Sequence, residues 1–291
     1  MITLEAIAAN QVPGITCGIP FDEYLQLPGD SASKLKKALQ SPLAYKWALD
    51  HPDQTSTPAM ALGTAVHTAV LEPHRMRTDY VLWDQGDKRG NAWKEFQAAN
   101  AGKSILSASE FADVKGMHSA LLAHEPAARY LKRGLAEVTI QWVDPVTGRK
   151  VHGRIDWLTY LDDSWILCDL KSTRNSGRRR FCSDAFDMGY HLQFSLYSDG
   201  FYTLTDIYPR FVTLAIEKTA PYEPAVYDAT EAFLARGHED YQRIQATLQQ
   251  CERTGIWPAR ATEEMTLDLP AWAGGRDDED DDLSGLGLIA S

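Results

Sequence analysis

Two carboxylates and an ammonium group are brought close together by residues 153–173, with Asp156 on one apolar stretch and Asp169 and Lys171 at the end of the next. Side chains alternate along a strand, so Asp169 and Lys171 share a face while Cys168 and Leu170 turn to the other. A two-residue turn at Asp162-Asp163 sets Asp156 beside Asp169. Carboxylates are hard oxygen ligands that suit Mg²⁺. Such an ion polarises a phosphate, lowers the pKa of water and stabilises charge on a leaving oxygen. A lysine alongside orients or deprotonates the water, or steadies the crowded phosphorus. The chemistry this set suits is phosphodiester hydrolysis. Asp-x-Lys alone equally describes a surface hairpin with solvated acids. The apolar run leading into Asp169, and Gly153 three residues before Asp156, favour the chemical reading.

Other candidates lie farther off. His67 follows Gly63 by four residues and shares its helical face. Gly63 has no side chain, so an ion or phosphate could come close there, and the bland alternative for His67 is a buried histidine satisfied by a carbonyl. Gln193 and Tyr197 are likewise four apart, although Phe194 and Leu196 would also suit ordinary helix packing. Arg174, Arg178, Arg179 and Arg180 surround Asn175, Ser176 and Gly177, which reads as a mobile loop able to grip phosphates, or as a solvated charged loop. Lys34, Lys36 and Lys37 are weaker phosphate contacts. Tyr45, Trp47, Trp83 and Trp93 are weak base-stacking candidates, since each type is more often core.

The elements that must position these groups follow from pattern. Residues 1–29 carry Pro13, Gly14, Gly18, Pro20, Pro28 and Gly29 and read as irregular. Helices are expected from Ser31 toward Pro42, over 43–50, over 61–71 after a polar loop at 51–59, around 91–99, and over 107–123 and 125–132. Strands at 137–143, 150–161 and 164–171 form an antiparallel meander. A helix over 183–203, a strand over 210–217 and an amphipathic helix over 228–254 follow. The fold class is α/β: a central mixed sheet flanked by helices, with extra N-terminal helices. The intended division is an irregular segment 1–29, one domain over 30–272 and an acidic, disordered tail over 273–291.

Composition sets limits. The 291 residues, 44% apolar, suffice for a sizeable core. The net charge of −11 argues at first against a nucleic-acid partner. Six consecutive acids at 277–282 supply part of it, and an enzyme needs positive potential only along its DNA track. The tail reads as solubilising, with partner docking or competition with DNA as the sharper alternatives. No run is long and apolar enough to span a membrane, and the N-terminus lacks a secretory pattern, so a cytoplasmic protein without membrane partners is expected. Cys17, Cys168, Cys182 and Cys251 form no Cys-x-x-Cys pair and suit free thiols.

Five motifs in order resemble a known family. They are Ser31-Ala-Ser33-Lys-Leu35 leading to Ser41-Pro42 and Tyr45; Gly63 to His67 followed by Leu71-Glu72-Pro73; Gly153-Arg-Ile-Asp156; Asp169-Leu-Lys171; and Gln193 to Tyr197. Over residues 20–260 the chain resembles the RecB-like branch of PD-(D/E)xK nucleases, and within it the RecE-like exonucleases of the exodeoxyribonuclease VIII type. The resemblance implies a restriction-endonuclease-like core. It implies metal ligation by His67, Asp156, Asp169 and the Leu170 carbonyl, a catalytic Lys171, and Gln193 and Tyr197 at the scissile phosphate or bracing the site. It offers Glu137, loosely matched, as an auxiliary acid, and places Ser31, Ser33 and Lys34 at the DNA. Mg²⁺ is the implied cofactor, and the imidazole ligand suits Mn²⁺ as well. An iron–sulfur cluster, found in some relatives, is not expected, because only Cys251 follows Tyr197.

The implied activity is degradation of linear double-stranded DNA from its ends, 5′ to 3′. The 3′ overhangs would pass to a RecT-like single-strand annealing protein in phage-type recombination. A ring-shaped homo-oligomer, a tetramer, is implied by the same likeness. The alternatives are a structure-specific or endonucleolytic enzyme of this class, and a silent DNA-binding protein of the same fold.

Overall fold

The computed structural model describes residues 2–51 and 57–267. The elements in chain order are α1 (Leu4–Ala8), β1 (Ile15–Thr16), α2 (Phe21–Leu25), β2 (Asp30–Ser31), α3 (Ala32–Ala38), α4 (Pro42–Asp50) and α5 (Pro58–Leu71). Then come α6 (Met76–Asp79), β3 (Tyr80–Trp83), α7 (Gly90–Ala99), β4 (Ser104–Ser107), α8 (Ala108–Ala123) and α9 (Glu125–Leu131). The second half holds β5 (Leu135–Val143), β6 (Lys150–Leu161), β7 (Ser164–Thr173), α10 (Arg178–Asp187), α11 (Tyr190–Thr205), β8 (Arg210–Glu217), β9 (Pro224–Asp228) and α12 (Glu231–Thr254).

The sheet order is β1-β5-β6-β7-β8-β9, with β2 beside β6. Strands β5, β6 and β7 are antiparallel, and β7 and β8 run parallel through the α10–α11 crossover. Each face is covered by helices. Leu35 of α3, Leu192 and Phe194 of α11 and Leu248 of α12 share one core with Ile155 and Leu167. Val66 of α5, Met117 and Leu121 of α8 and Tyr130 of α9 pack with Cys168, Leu170 and Leu214 on the other. Alternation along β7 assigns Leu167 and Leu170 to opposite layers.

Local chemistry explains the ends. Thr57 caps α5 by accepting the Met60 N–H, with Pro58 at the first helical position, so the helix starts before residue 61. Ser107 and Glu110 form a capping box on α8. Asp162 and Asp163 both have positive φ, the backbone that a tight two-residue hairpin demands. The expected helix over 183–203 is two helices: α10 begins at Arg178, and Gly189 (φ +68°) turns the chain before α11. Residues 1–29, expected to be irregular, contain α1, β1 and α2. The tail at 273–291 lies outside the described residues.

Candidate active site

Strands β6 and β7 pair from their turn as far as Trp157 opposite Cys168. Farther along, β6 takes β2 as a parallel neighbour at Val151 and His152, while β7 continues beside β8. The sheet thus forks just past Trp157 and Cys168, where Asp156 and Asp169 stand. In place of a ladder bond, the Leu170 N–H donates to the Asp156 carboxylate at 2.8 Å. His67 enters the fork from α5 on one face, and Gln193 from α11 on the other.

Asp169 is buried and held from both sides. Lys171 Nζ donates to its Oδ1 at 2.9 Å, and the Gln193 amide donates to the same oxygen at 3.0 Å. Lys171 also lies 2.8 Å from Oδ2, yet that oxygen receives no well-directed hydrogen bond. His67 Nδ1 is 3.6 Å from Asp156 Oδ2, and the imidazole meets the Leu170 carbonyl. Glu137 completes the cluster: one donor atom each from His67, Glu137 and Asp156 lie within 4.8 Å of one another.

Glu137 reaches this place through its backbone. Its neighbours pair as Ala136 with Trp157 and Val138 with Ile155, so Glu137 faces Asp156 across the ladder. It has φ +52°, a left-handed conformation that a non-glycine residue seldom adopts within a strand. Strain of this kind, of order 1–3 kcal/mol, tends to collect where function requires a fixed geometry. Arg154, two residues before Asp156, donates to Glu137 at 2.5 Å, and its guanidinium lies over the rings of Phe21 and Tyr24. The α2 helix therefore flanks the site.

Around Asp156 the carboxyls are pushed toward their protonated forms. Burial, then the charge of Asp169, push the Asp156 carboxyl up to about 7. Burial and Asp156 raise Glu137, against the pull of Arg154. Burial and the Lys171 charge depress His67, which keeps the imidazole neutral and able to ligate. Lys171 is opposed by burial, but Asp169 and Asp156 prevail and hold it well above its ordinary range. It is therefore an ammonium ion at neutral pH.

A divalent cation fits this donor set. The close group offers two carboxylates and a neutral imidazole, and the buried Asp169 Oδ2 and the Leu170 carbonyl point to the same fork. The grouping differs from the sequence expectation in one respect. Glu137, the loosest match, stands with His67 and Asp156, whereas Asp169 lies outside that group and is hydrogen-bonded to Lys171 and Gln193.

Other expected residues make packing or local contacts, and Tyr197 takes the bracing one of its two expected roles. Tyr197 is buried with its ring against Gly153, where an added Cβ would sit 2.6 Å from the ring, so it braces β6 from within. Gly63 is not demanded by packing, since a Cβ there would meet only Ser172 Oγ at 3.6 Å. Ser31 is buried and shares a hydrogen bond with Ser33, and Lys34 donates to the Gly29 carbonyl. Burial removes Ser31 from the reach of a phosphate. Tyr45 and Trp83 are interior, and Trp47 is exposed and stacks on His51.

The basic segment is tied down at Ser176 and becomes helix at Arg178. Ser176 is buried and donates twice to Glu217, and Tyr227 donates to its carbonyl. Arg178, Arg179 and Arg180 form the exposed first turn of α10, and Arg180 pairs with Asp184. The four cysteines are free thiols. No helix among the described residues is long and apolar enough to cross a membrane.

Lys36 was expected only as a weaker phosphate contact, and Arg154 was given no role. Lys36 donates to Gln193 Oε1 at 2.6 Å, inside the site. A residue 157 positions away gives no local signal. Arg154 could have been found, because it is the diagonal cross-strand neighbour of Glu137.

Comparison with known proteins agrees with this architecture. No curated protein matches the sequence. A crystal structure of a "Putative exonuclease" from Eubacterium rectale is 12% identical, covers 87% of this chain and 96% of its own, and superposes with a TM-score of 0.58. At that identity the likeness shows the fold alone. SSO0001 is 14% identical, with 90% and 98% coverage, and its TM-score of 0.34 carries no argument. Residues 31–267 match the family described as a PDDEXK-like domain of unknown function (DUF3799), and over that span, which takes in the fork and all its polar groups, the chain belongs to that family.

Proposed function

We propose that the protein is a divalent-metal-dependent deoxyribonuclease that degrades linear double-stranded DNA from its ends. The observation that carries this reading is the convergence of His67, Glu137 and Asp156 within 4.8 Å, beside the Asp169–Lys171 pair. His67, Glu137 and Asp156 would hold a cation, with Asp169 Oδ2 and the Leu170 carbonyl completing its surroundings. Mg²⁺ or Mn²⁺ bound there would neutralise phosphate charge and lower the pKa of water.

The chain's own groups do the rest. Gln193 and Lys171 hold Asp169 through its Oδ1, and Lys171 also lies 2.8 Å from Oδ2. Lys171, held as an ammonium, stabilises negative charge as it develops on the phosphate and the leaving oxygen. Exposed Arg174, Arg178 and Arg179 supply positive charge for the DNA backbone. End dependence, 5′ to 3′ polarity, the 3′ overhang, delivery to a strand-annealing protein and a ring-shaped oligomer rest on the resemblance to RecE-like exonucleases. The words "Putative exonuclease" in the name of the Eubacterium rectale protein agree with end dependence alone.

The test is digestion of linear duplex labelled at either end, in Mg²⁺ or EDTA, with a closed circle of the same sequence alongside. Magnesium-dependent loss of the linear form, early release of the 5′ label and a spared circle are expected. A cut circle would make the enzyme an endonuclease, and binding without cleavage of either substrate would leave a silent DNA-binding protein.

A further inference from the structure

The cations of the site differ in one respect. Lys171 has the Asp169 carboxylate and Arg154 has that of Glu137. Lys36, on α3, is half-buried, and among the described residues its ammonium hydrogen-bonds the neutral carboxamide of Gln193 and has no carboxylate in salt-bridge range. Its Nζ lies 4.9 Å from the centre of the Tyr190 ring, and Lys171 Nζ lies 5.1 Å from the same centre. Two lysines from different layers thus lie close to one aromatic ring.

A cation withdrawn from water without a counterion is costly, and a protein normally pairs it or lets it lose its proton. Burial, then the charge of Lys171, bring the Lys36 ammonium down to about 7. Gln193 accepts one of its three N–H bonds. An anion entering beside Lys171 would supply the missing counterion.

We propose that Lys36 is a phosphate-binding residue, contacting a phosphodiester of the DNA next to the one held at the fork. This rests on the nuclease reading above and deepens it by adding a subsite. Lys36 then belongs to substrate binding, and Gln193 links it to Asp169, so that the groove and the metal-binding acids share one hydrogen-bonded chain.

The experiment is equilibrium binding of a fluorescent short duplex in EDTA, where nothing is cleaved, over a range of salt concentrations. Lys36→Met, Lys36→Arg and Gln193→Ala are compared with the wild type, each checked by thermal melting. Lys36→Met should bind roughly tenfold more weakly, as expected for loss of a charged hydrogen bond. Its slope of log affinity against log salt should be shallower by about 0.9, one phosphate contact fewer. Lys36→Arg should restore the slope, and Gln193→Ala, which releases the ammonium without removing it, should keep it. An unchanged affinity and slope in a folded Lys36→Met protein would overturn the proposal. So would weaker binding at an unchanged slope, which would make Lys36 a brace acting through Gln193. A wild type that neither binds duplex nor cleaves it in Mg²⁺ would overturn the nuclease reading itself, a result distinct from both.

Discussion

Asp30 and Asp156 are both withdrawn from water on neighbouring strands of one sheet, and they are treated in opposite ways. Asp30 is 3% exposed and accepts from Tyr45 at 2.7 Å, from Arg149 at 2.8 Å and, more distantly, from Gln245. Arg149 is held in turn by two bonds to Glu252. Burial pushes the Asp30 carboxyl up, but Arg149 and Tyr45 outweigh it and hold the group below its ordinary range. Asp156 receives one backbone N–H and a neighbouring imidazole, and faces the charges of Asp169 and Glu137. Donor supply marks the difference between a carboxylate that fastens β2 to the body of the protein and one that is left wanting a cation. Perturbed groups cluster at functional sites for this reason, and they carry a stability cost.

The comparison can be broken most severely at the fork. Asp156→Asn, Asp169→Ala and Lys171→Ala should each reduce magnesium-dependent cleavage by several orders of magnitude, with circular dichroism unchanged; a fully active Asp169→Ala protein would remove the site assignment. Asp156→Asn should also melt higher than the wild type in EDTA. The gain should be on the order of 1 kcal/mol, since a neutral amide relieves the crowding of acids.

Asp30 should behave in the opposite sense. Asp30→Ala leaves the half-buried Arg149 with Glu252 as its remaining acid partner and should cost about 2–3 kcal/mol by denaturant melting. Because its folded pKa is depressed, the stability Asp30 contributes is complete above the unfolded carboxylate range of about 4. It is lost as pH falls through the folded value. The Asp30→Ala protein should therefore show a flatter acid limb in a plot of stability against pH.

Smaller effects sharpen the picture. Gly153→Ala should cost about 1–3 kcal/mol and some activity, as the new methyl meets the Tyr197 ring. Tyr197→Phe, which removes only a hydroxyl, should cost about 0.5–1.5 kcal/mol. If both variants matched the wild type in melting, the bracing role of Tyr197 would be lost.

The strands that carry the acids were legible in the sequence because their alternation is clear and Asp162-Asp163 punctuates them; β6 has the bounds expected of it. Asp156, Asp169 and Lys171 come together as their strand spacing suggested, and His67 and Gln193 join them as the resemblance implied. What was illegible depends on tertiary pairing. Strands β1 and β2 are two residues each and exist only because β5 and β6 offer them partners. Strand β9 begins at Pro224 on the sheet edge, where a missing N–H is tolerated, so the helix expected from 228 starts only at Glu231. Glu137 depends on a left-handed backbone that alternation does not reveal, and Lys36 on a partner in a distant helix.

The most direct test of the contrast between the two aspartates is titration calorimetry with Mn²⁺ on the wild type, Asp156→Asn and a folded Asp30→Asn protein. Binding to the wild type, retained in Asp30→Asn and lost in Asp156→Asn, is the expected result. Equal Mn²⁺ binding by the wild type and Asp156→Asn would contradict it, because the fork would then not be the cation site.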